Sequence, residues 1–345
     1  MVNLFLTLII GLIGGYIFLK LKVPGGMMVG SIVFITLFNI KTDIIYMPSV
    51  AKTIAQIIAG AFIGSGIEKD DLVRLKYITK PALILLIGML ILNIVTGFLI
   101  YLTSPMDLVT SFMCSVPGGM SDIPLISADM GADSSKVAVM QFVRMVFGIG
   151  VFPTIISKVT KSKAFITDNE DSPVRVESNL KNNKNFILTI IIAAIFGIIG
   201  KISNIPSATM VFSMFSVIAF KLITNKAYLP KWVRKFAQMM SGAYIGSGIG
   251  MNEIFDMKVI ILPAFILILT YLFGCFIIGK ILNSKFNMPI REAMLASIPA
   301  GASDMALISA DLGVQSTNLI VLQVIRLVVV ISVFPQVIRV FVHLF

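Results

Sequence analysis

Residues 182 positions apart repeat one another along almost the whole chain, with no gap needed to align them. Pro24 recurs as Pro206 and Ala55-Gln56 as Ala237-Gln238. Gly60-Ala-Phe-Ile-Gly-Ser-Gly-Ile67 recurs as Gly242-Ala-Tyr-Ile-Gly-Ser-Gly-Ile249, Pro81 as Pro263, Gln141 and Arg144 as Gln323 and Arg326, and Phe152-Pro153 as Phe334-Pro335. Whatever the chain folds into must therefore be assembled from two copies of one unit. The copies occupy 1–160 and 184–345. Between them, 161–183 carry Asp168, Glu170, Asp171, Arg175 and Glu177 and read as a solvated linker.

The solvent for these copies follows from composition. With 57% apolar and 13% charged residues and a mean hydropathy of +0.97, the chain lies outside the range of soluble domains. Ten apolar runs are candidate spans: 4–19, 27–39, 50–67, 81–102, 137–157, 186–200, 207–220, 236–251, 259–279 and 318–342. The first lacks a basic leader and a small-residue cleavage site and reads as a retained helix. The expected fold is an all-α polytopic membrane protein with lipid as its surroundings.

Several function classes drop out. The net charge of +11 collects at the ends of spans, where membrane orientation accounts for it without a nucleic-acid partner. Oxygen chemistry on copper or di-iron needs clustered histidines, and the chain has one, His343, so it is not expected to be an enzyme. Cys114 and Cys275 sit in apolar runs without metal spacing and read as packed thiols.

Charge also orients the copies, because Lys and Arg accumulate in cytoplasmic loops. After the third span the first copy has Lys69, Arg74, Lys76 and Lys80, where the second has only Lys258. Before the shared polar motif the bias reverses, with none in 101–107 against Lys280, Lys285 and Arg291. The turn before the third span agrees, with Lys41 and Lys52 against Lys221, Lys226, Lys231, Arg234 and Lys235. Matching loops on opposite sides imply an odd number of crossings per copy, hence an inverted repeat of five transmembrane helices each. The linker then faces the cytoplasm and both termini face outward, in a bacterial cytoplasmic membrane.

Five spans leave 108–131 and 290–313, which hold the shared motif: Ser115-Val-Pro-Gly-Gly-Met-Ser-Asp122 with Ile126-Ser-Ala-Asp-Met-Gly131, and Ser297-Ile-Pro-Ala-Gly-Ala-Ser-Asp304 with Ile308-Ser-Ala-Asp-Leu-Gly313. These segments are expected to be re-entrant helical hairpins. Arms of roughly nine residues at about 1.5 Å each reach about half of a hydrocarbon core near 30 Å, placing both tips at the midplane to form one central site. Pro117-Gly118-Gly119 and Pro299-Ala300-Gly301 break the helix, Ser121-Asp122 and Ser303-Asp304 suit N-caps, and Gly131 and Gly313 suit helix ends.

A broken helix presents free carbonyls at one end, suited to Na+, and free amides at the other, suited to an anion. Gly118, Gly119, Ser121, Asp122, Gly301, Ser303 and Asp304 are therefore the candidate contacts for ion and substrate. Asp129, Gln141 and Arg144, with Asp311, Gln323 and Arg326, either support the hairpins or reach the substrate. For the arginines, pairing with Asp122 or Asp129 and their counterparts is preferred over a substrate carboxylate, since both copies keep one. The glycine stripes Gly60/Gly64/Gly66 and Gly242/Gly246/Gly248 read as close helix packing.

Ser-Val-Pro-Gly-Gly-Met-Ser-Asp122, Ser-Ala-Asp129-Met-Gly and Gln141-x-x-Arg144, with their second copies, resemble the duplicated membrane proteins labelled AbrB. These are also labelled ammonia monooxygenases or transcriptional regulators. Five spans plus a hairpin per inverted repeat is similar in architecture to the sodium-coupled glutamate and citrate symporters. That likeness implies glycine-rich tips at the substrate, elevator motion and a homodimer. The expected function is secondary transport of a small anionic organic solute, coupled to Na+ or H+ and without a cofactor. The alternative is a membrane-embedded protein that regulates gene expression indirectly.

Overall fold

The computed structural model describes residues 2–42, 44–159, 183–251, 253, 257–299 and 317–344. Among them there is no strand. Helices α1 (Val2–Lys20), α2 (Gly26–Thr42), α3 (Ser49–Ser65), α4 (Lys69–Thr103), α5 (Leu108–Ser115), α6 (Ile123–Asp129), α7 (Ser134–Gly150) and α8 (Phe152–Val159) belong to the first sequence copy. The second supplies α9 (Asn183–Ile202), α10 (Ala208–Thr224), α11 (Lys231–Ser247), a 3-10 turn (Met257–Ile260), α12 (Ile261–Phe286), α13 (Ile290–Ser297), α14 (Thr317–Ser332) and α15 (Phe334–Leu344). Each of the ten apolar runs falls mainly on helix, with 50–67 and 236–251 running past the ends of α3 and α11. Among the described residues six stretches are long and apolar enough to cross a bilayer, and α2, α3 and α10 are shorter apolar helices.

The chain divides into two compact units. Unit 1 is drawn from Met1–Glu68, Met120–Val139 and Asn179–Ile260, and unit 2 from Lys69–Gly119, Met140–Ser178 and Ile261–Phe345. Neither coincides with a sequence copy: each takes helices from both.

In unit 1, α3 packs on α10 of the other copy, while α11, the repeat of α3, packs on α2, the repeat of α10. Glycine sets the approach. A Cβ at Gly60 would lie 2.3 Å from the Met210 carbonyl, and one at Gly242 would lie 2.5 Å from that of Met28. Gly60, Gly64, Gly242 and Gly246 thus serve helix packing, whereas Gly66 and Gly248 of the same stripes are helix ends with no crossing helix against them. Both helices follow a proline, Pro48 or Pro230, and stop at a glycine, Gly66 or Gly248. The cores correspond as well: Ile35, Met47, Ala51 and Ala55 form one cluster, and Val217, Leu229, Val233 and Ala237, each 182 positions on, form another. Ser31 donates to the Gly11 carbonyl at 2.7 Å, and its repeat Ser213 donates to that of Ala193 at 2.9 Å.

Unit 2 is built on α4 and α12, which pack together and carry α5 and α13. Proline marks the same place in both long helices. In α4 the backbone leaves helical geometry at Ile78 (φ −109°, ψ 15°), three residues before Pro81. The pyrrolidine ring crowds the carbonyl one turn earlier and offers no N–H, so the helix bends there. In the second copy the 3-10 turn precedes α12 and Pro263 falls in the first turn of that helix, where a missing N–H costs nothing.

Candidate functional site

In unit 2, Asp107 caps α5, accepting the Thr110 N–H at 2.9 Å. The helix ends at Ser115, two residues before Pro117, and its last carbonyls need donors from elsewhere. They find them about two and three turns along α7. Gln141 Nε2 donates to the carbonyls of Met113 at 3.2 Å and Val116 at 3.1 Å, and the Arg144 guanidinium donates to those of Val116 and Gly118. The Val116 carbonyl also accepts the Gly118 N–H at 2.9 Å. Tyr271 donates its hydroxyl to the Ser115 carbonyl at 2.5 Å, and Asn93 Nδ2 donates to Ser115 Oγ at 2.7 Å. Arg144 is 3% exposed. Its Nε and the Gln141 Oε1 have no hydrogen-bond partner among the described residues.

The second copy repeats this end. Gln323 donates to the carbonyls of Leu295 at 3.1 Å and Ala296 at 3.2 Å, and Arg326 donates to that of Ile298. Cys275, at the place of Asn93, donates to the Ser297 carbonyl, whose own hydroxyl returns a bond to the Cys275 carbonyl at 3.0 Å. Arg326 is also 3% exposed and lies within electrostatic reach of Arg144.

In unit 1, Asp122 opens α6 and is 8% exposed. Ser121 Oγ donates to its carboxylate at 3.2 Å, Ser241 Oγ reaches the Ser121 carbonyl at 3.3 Å, and Arg234 acts on it electrostatically. At the far end of α6, Asp129 is held by Lys52 Nζ at 2.6 Å and Gln56 Nε2 at 2.6 Å. Gln56 also donates to the Leu125 carbonyl at 3.3 Å. Gly131 takes the left-handed conformation (φ +76°), and the Ala132 N–H closes on the Ser127 carbonyl at 3.0 Å, so the glycine ends α6 as its position suggested.

Three expectations change. Asp122 stands at the cap position of α6 but makes no capping bond, because its backbone is itself helical (φ −96°, ψ −45°) and turns the carboxylate away from the amides it would cap. Among the described residues Arg144 takes no carboxylate partner: it serves carbonyls, and Asp129 is paired with Lys52. Finally, the carbonyls at the end of α5 are not free, since Gln141 and Arg144 already fill them. Gly118 lies on the Arg144 side of the break, and Gly119 precedes the change of unit at Met120. Gly301, Ser303, Asp304 and Asp311 lie outside the described residues.

Lys52, Gln56, Arg234, Asn93 and Tyr271 were not singled out from sequence. Gln56 carried a signal, being repeated as Gln238. Lys52 and Arg234 were counted as loop charges, although each lies on a helix over a ring of the partner copy, Lys52 at 5.8 Å from Tyr244 and Arg234 at 4.9 Å from Phe62.

Spanning helices, a duplicated core and interrupted helices that keep charged side chains buried define a duplicated polytopic membrane protein. The chain belongs to the AbrB family: a family model described as "Transition state regulatory protein AbrB" matches residues 1–79 and 45–342. Among its relatives, "Putative regulator AbrB" of Escherichia coli (strain K12) is 26% identical over 340 residues, covering 93% of this chain and 91% of the relative. "Uncharacterized protein YhjN" of Bacillus subtilis (strain 168) is 24% identical over 349 residues, covering 96% and 91%.

Proposed function

We propose that the protein is a secondary active transporter of a small anionic organic solute, coupled to Na+ or H+, in the bacterial cytoplasmic membrane. Asp122 carries the reading. A carboxylate that is 8% exposed, at the break between two short helices and without a capping role, is costly in a membrane and is kept where ions or solutes pass. The inverted repeat argued from loop charge, with both termini outside, supports alternating access of the elevator type, and such scaffolds work as homodimers. Ser121, Asp122, Ser303 and Asp304 are the assigned contacts.

The test is a melting-temperature screen of the purified protein against organic acids, amino acids and nucleobases, followed by flux of any stabilising solute into proteoliposomes. Asp122→Ala and Asp304→Ala variants that fold should lose flux at least tenfold. Unchanged flux removes these carboxylates from the site.

A second reading rests on the names of the family and of the Escherichia coli relative: a membrane-embedded protein that regulates gene expression indirectly. An expression change on deletion that a folded, transport-dead variant still reverses would favour it.

A further inference from the structure

The ends of α5 and α13 are where a transporter with broken helices would be expected to hold a metal cation, because main-chain carbonyls and the negative end of the helix dipole converge there. Here those acceptors are already committed. The Val116 carbonyl takes three donors, the Gly118 N–H, Gln141 Nε2 and the Arg144 guanidinium, which is more than its two lone pairs ordinarily serve. The carbonyls of Met113 and Gly118 are taken by the same two side chains. A guanidinium is a permanent cation, and it occupies this position 3% exposed, with carbonyls as its hydrogen-bond acceptors among the described residues. The second copy places Arg326 on the Ile298 carbonyl, with Gln323 on Leu295 and Ala296.

We infer that Arg144 and Arg326 are built-in cations that stand in the place of bound metal ions at the C-terminal ends of α5 and α13. A tethered cation does not dissociate. These two ends consequently carry constant positive charge and need no Na+ to keep their carbonyls satisfied. The inference rests on the transport reading only for its consequence, that a coupling ion must bind elsewhere, with Asp122 the buried carboxylate available in unit 1. Arg144 and Arg326 are positioning residues here.

The experiment measures melting of the purified full-length protein in detergent at fixed ionic strength, in NaCl or in choline chloride, with and without methylguanidinium at low millimolar concentration. Wild type sets the baseline shift between the two salts, to which a coupling ion bound elsewhere contributes equally in every variant. Arg144→Ala should melt several degrees lower in choline and be raised by methylguanidinium, and by Na+ beyond the wild-type shift. Arg144→Lys keeps the charge and should melt between the two, with a Na+ shift no larger than that of wild type; it serves as the test should Arg144→Ala not fold. A Na+ shift that is no larger in Arg144→Ala than in wild type overturns the inference. So does an Arg144→Ala protein that is as stable as wild type, or that no cation restores, and so does an Arg144→Lys protein that Na+ stabilises more than it does wild type. Failure of the transport reading would show separately, as absence of solute flux with the pattern of melting temperatures intact.

Discussion

At the scale of single residues, the Lys52–Asp129 pair shows how a charge is kept below the surface. Both side chains are about one-fifth exposed or less, the contact is 2.6 Å, and Gln56 supplies a second donor to the same carboxylate. Removing one partner leaves the other charge without compensation, and this asymmetry costs more than the pair contributes. Asp129→Asn is expected to destabilise by about 1–3 kcal/mol. Adding Lys52→Met to it should recover part of that loss, as measured by thermal melting in detergent. Equal destabilisation by the double variant would mean that the packing of α6 on α3, and not charge, is what Asp129 secures. Such partnerships were only partly legible beforehand. Repetition marked Gln56, Gln141 and Arg144, but it could not mark Asn93, whose repeat is Cys275, although both bond the serine that ends a broken helix. Two different side chains meet one backbone requirement there, so identity between copies is lost while the function of the position is kept.

At the scale of elements, glycine decides how close two helices come. Gly60 and Gly242 face carbonyl oxygens of the crossing helix, where an added methyl group would lie within 2.5 Å. Backbone cannot yield as a side-chain tip does, so Gly60→Ala and Gly242→Ala should each cost about 1–3 kcal/mol or more by overpacking. At Gly150, the last residue of α7, a Cβ meets nothing within 4 Å, and alanine should be neutral or slightly stabilising there. Melting of the three variants checks the order. The stripes were readable from spacing because small residues four apart fall on one helix face. Boundaries were less so. The apolar run at 236–251 locates α11 five residues late, since that helix starts after Pro230 and its first turn holds Lys231 and Arg234. Likewise the run at 81–102 catches only the part of α4 beyond its proline bend, because the earlier turns carry Asp70, Asp71 and four basic residues.

At the scale of the whole molecule, the duplication is expressed by exchange: α3 packs on α10 and α11 on α2, each helix choosing a partner from the other copy. Exchange of this kind is what a two-fold relation between copies produces. It does not depend on whether the axis runs along the membrane or across it; loop charge argues the first. If 108–131 and 290–313 do not cross, each copy crosses five times and the linker and the C-terminus face opposite sides. If the interrupted segments do cross, each copy crosses six times and the two face the same side. Reporter fusions at Ser172 and at Phe345 separate the cases, and opposite sidedness is expected, with the linker cytoplasmic. The charge argument makes a second demand on the same fusions. Moving the basic residues Lys69, Arg74, Lys76 and Lys80 out of the first copy by substitution should weaken the orientation bias and yield mixed sidedness at Ser172, since Lys and Arg in short loops are what hold those loops inside. Fusions that report one side at both positions, with those four residues in place, would leave the repeat parallel and remove the main support for two segments entering from opposite faces.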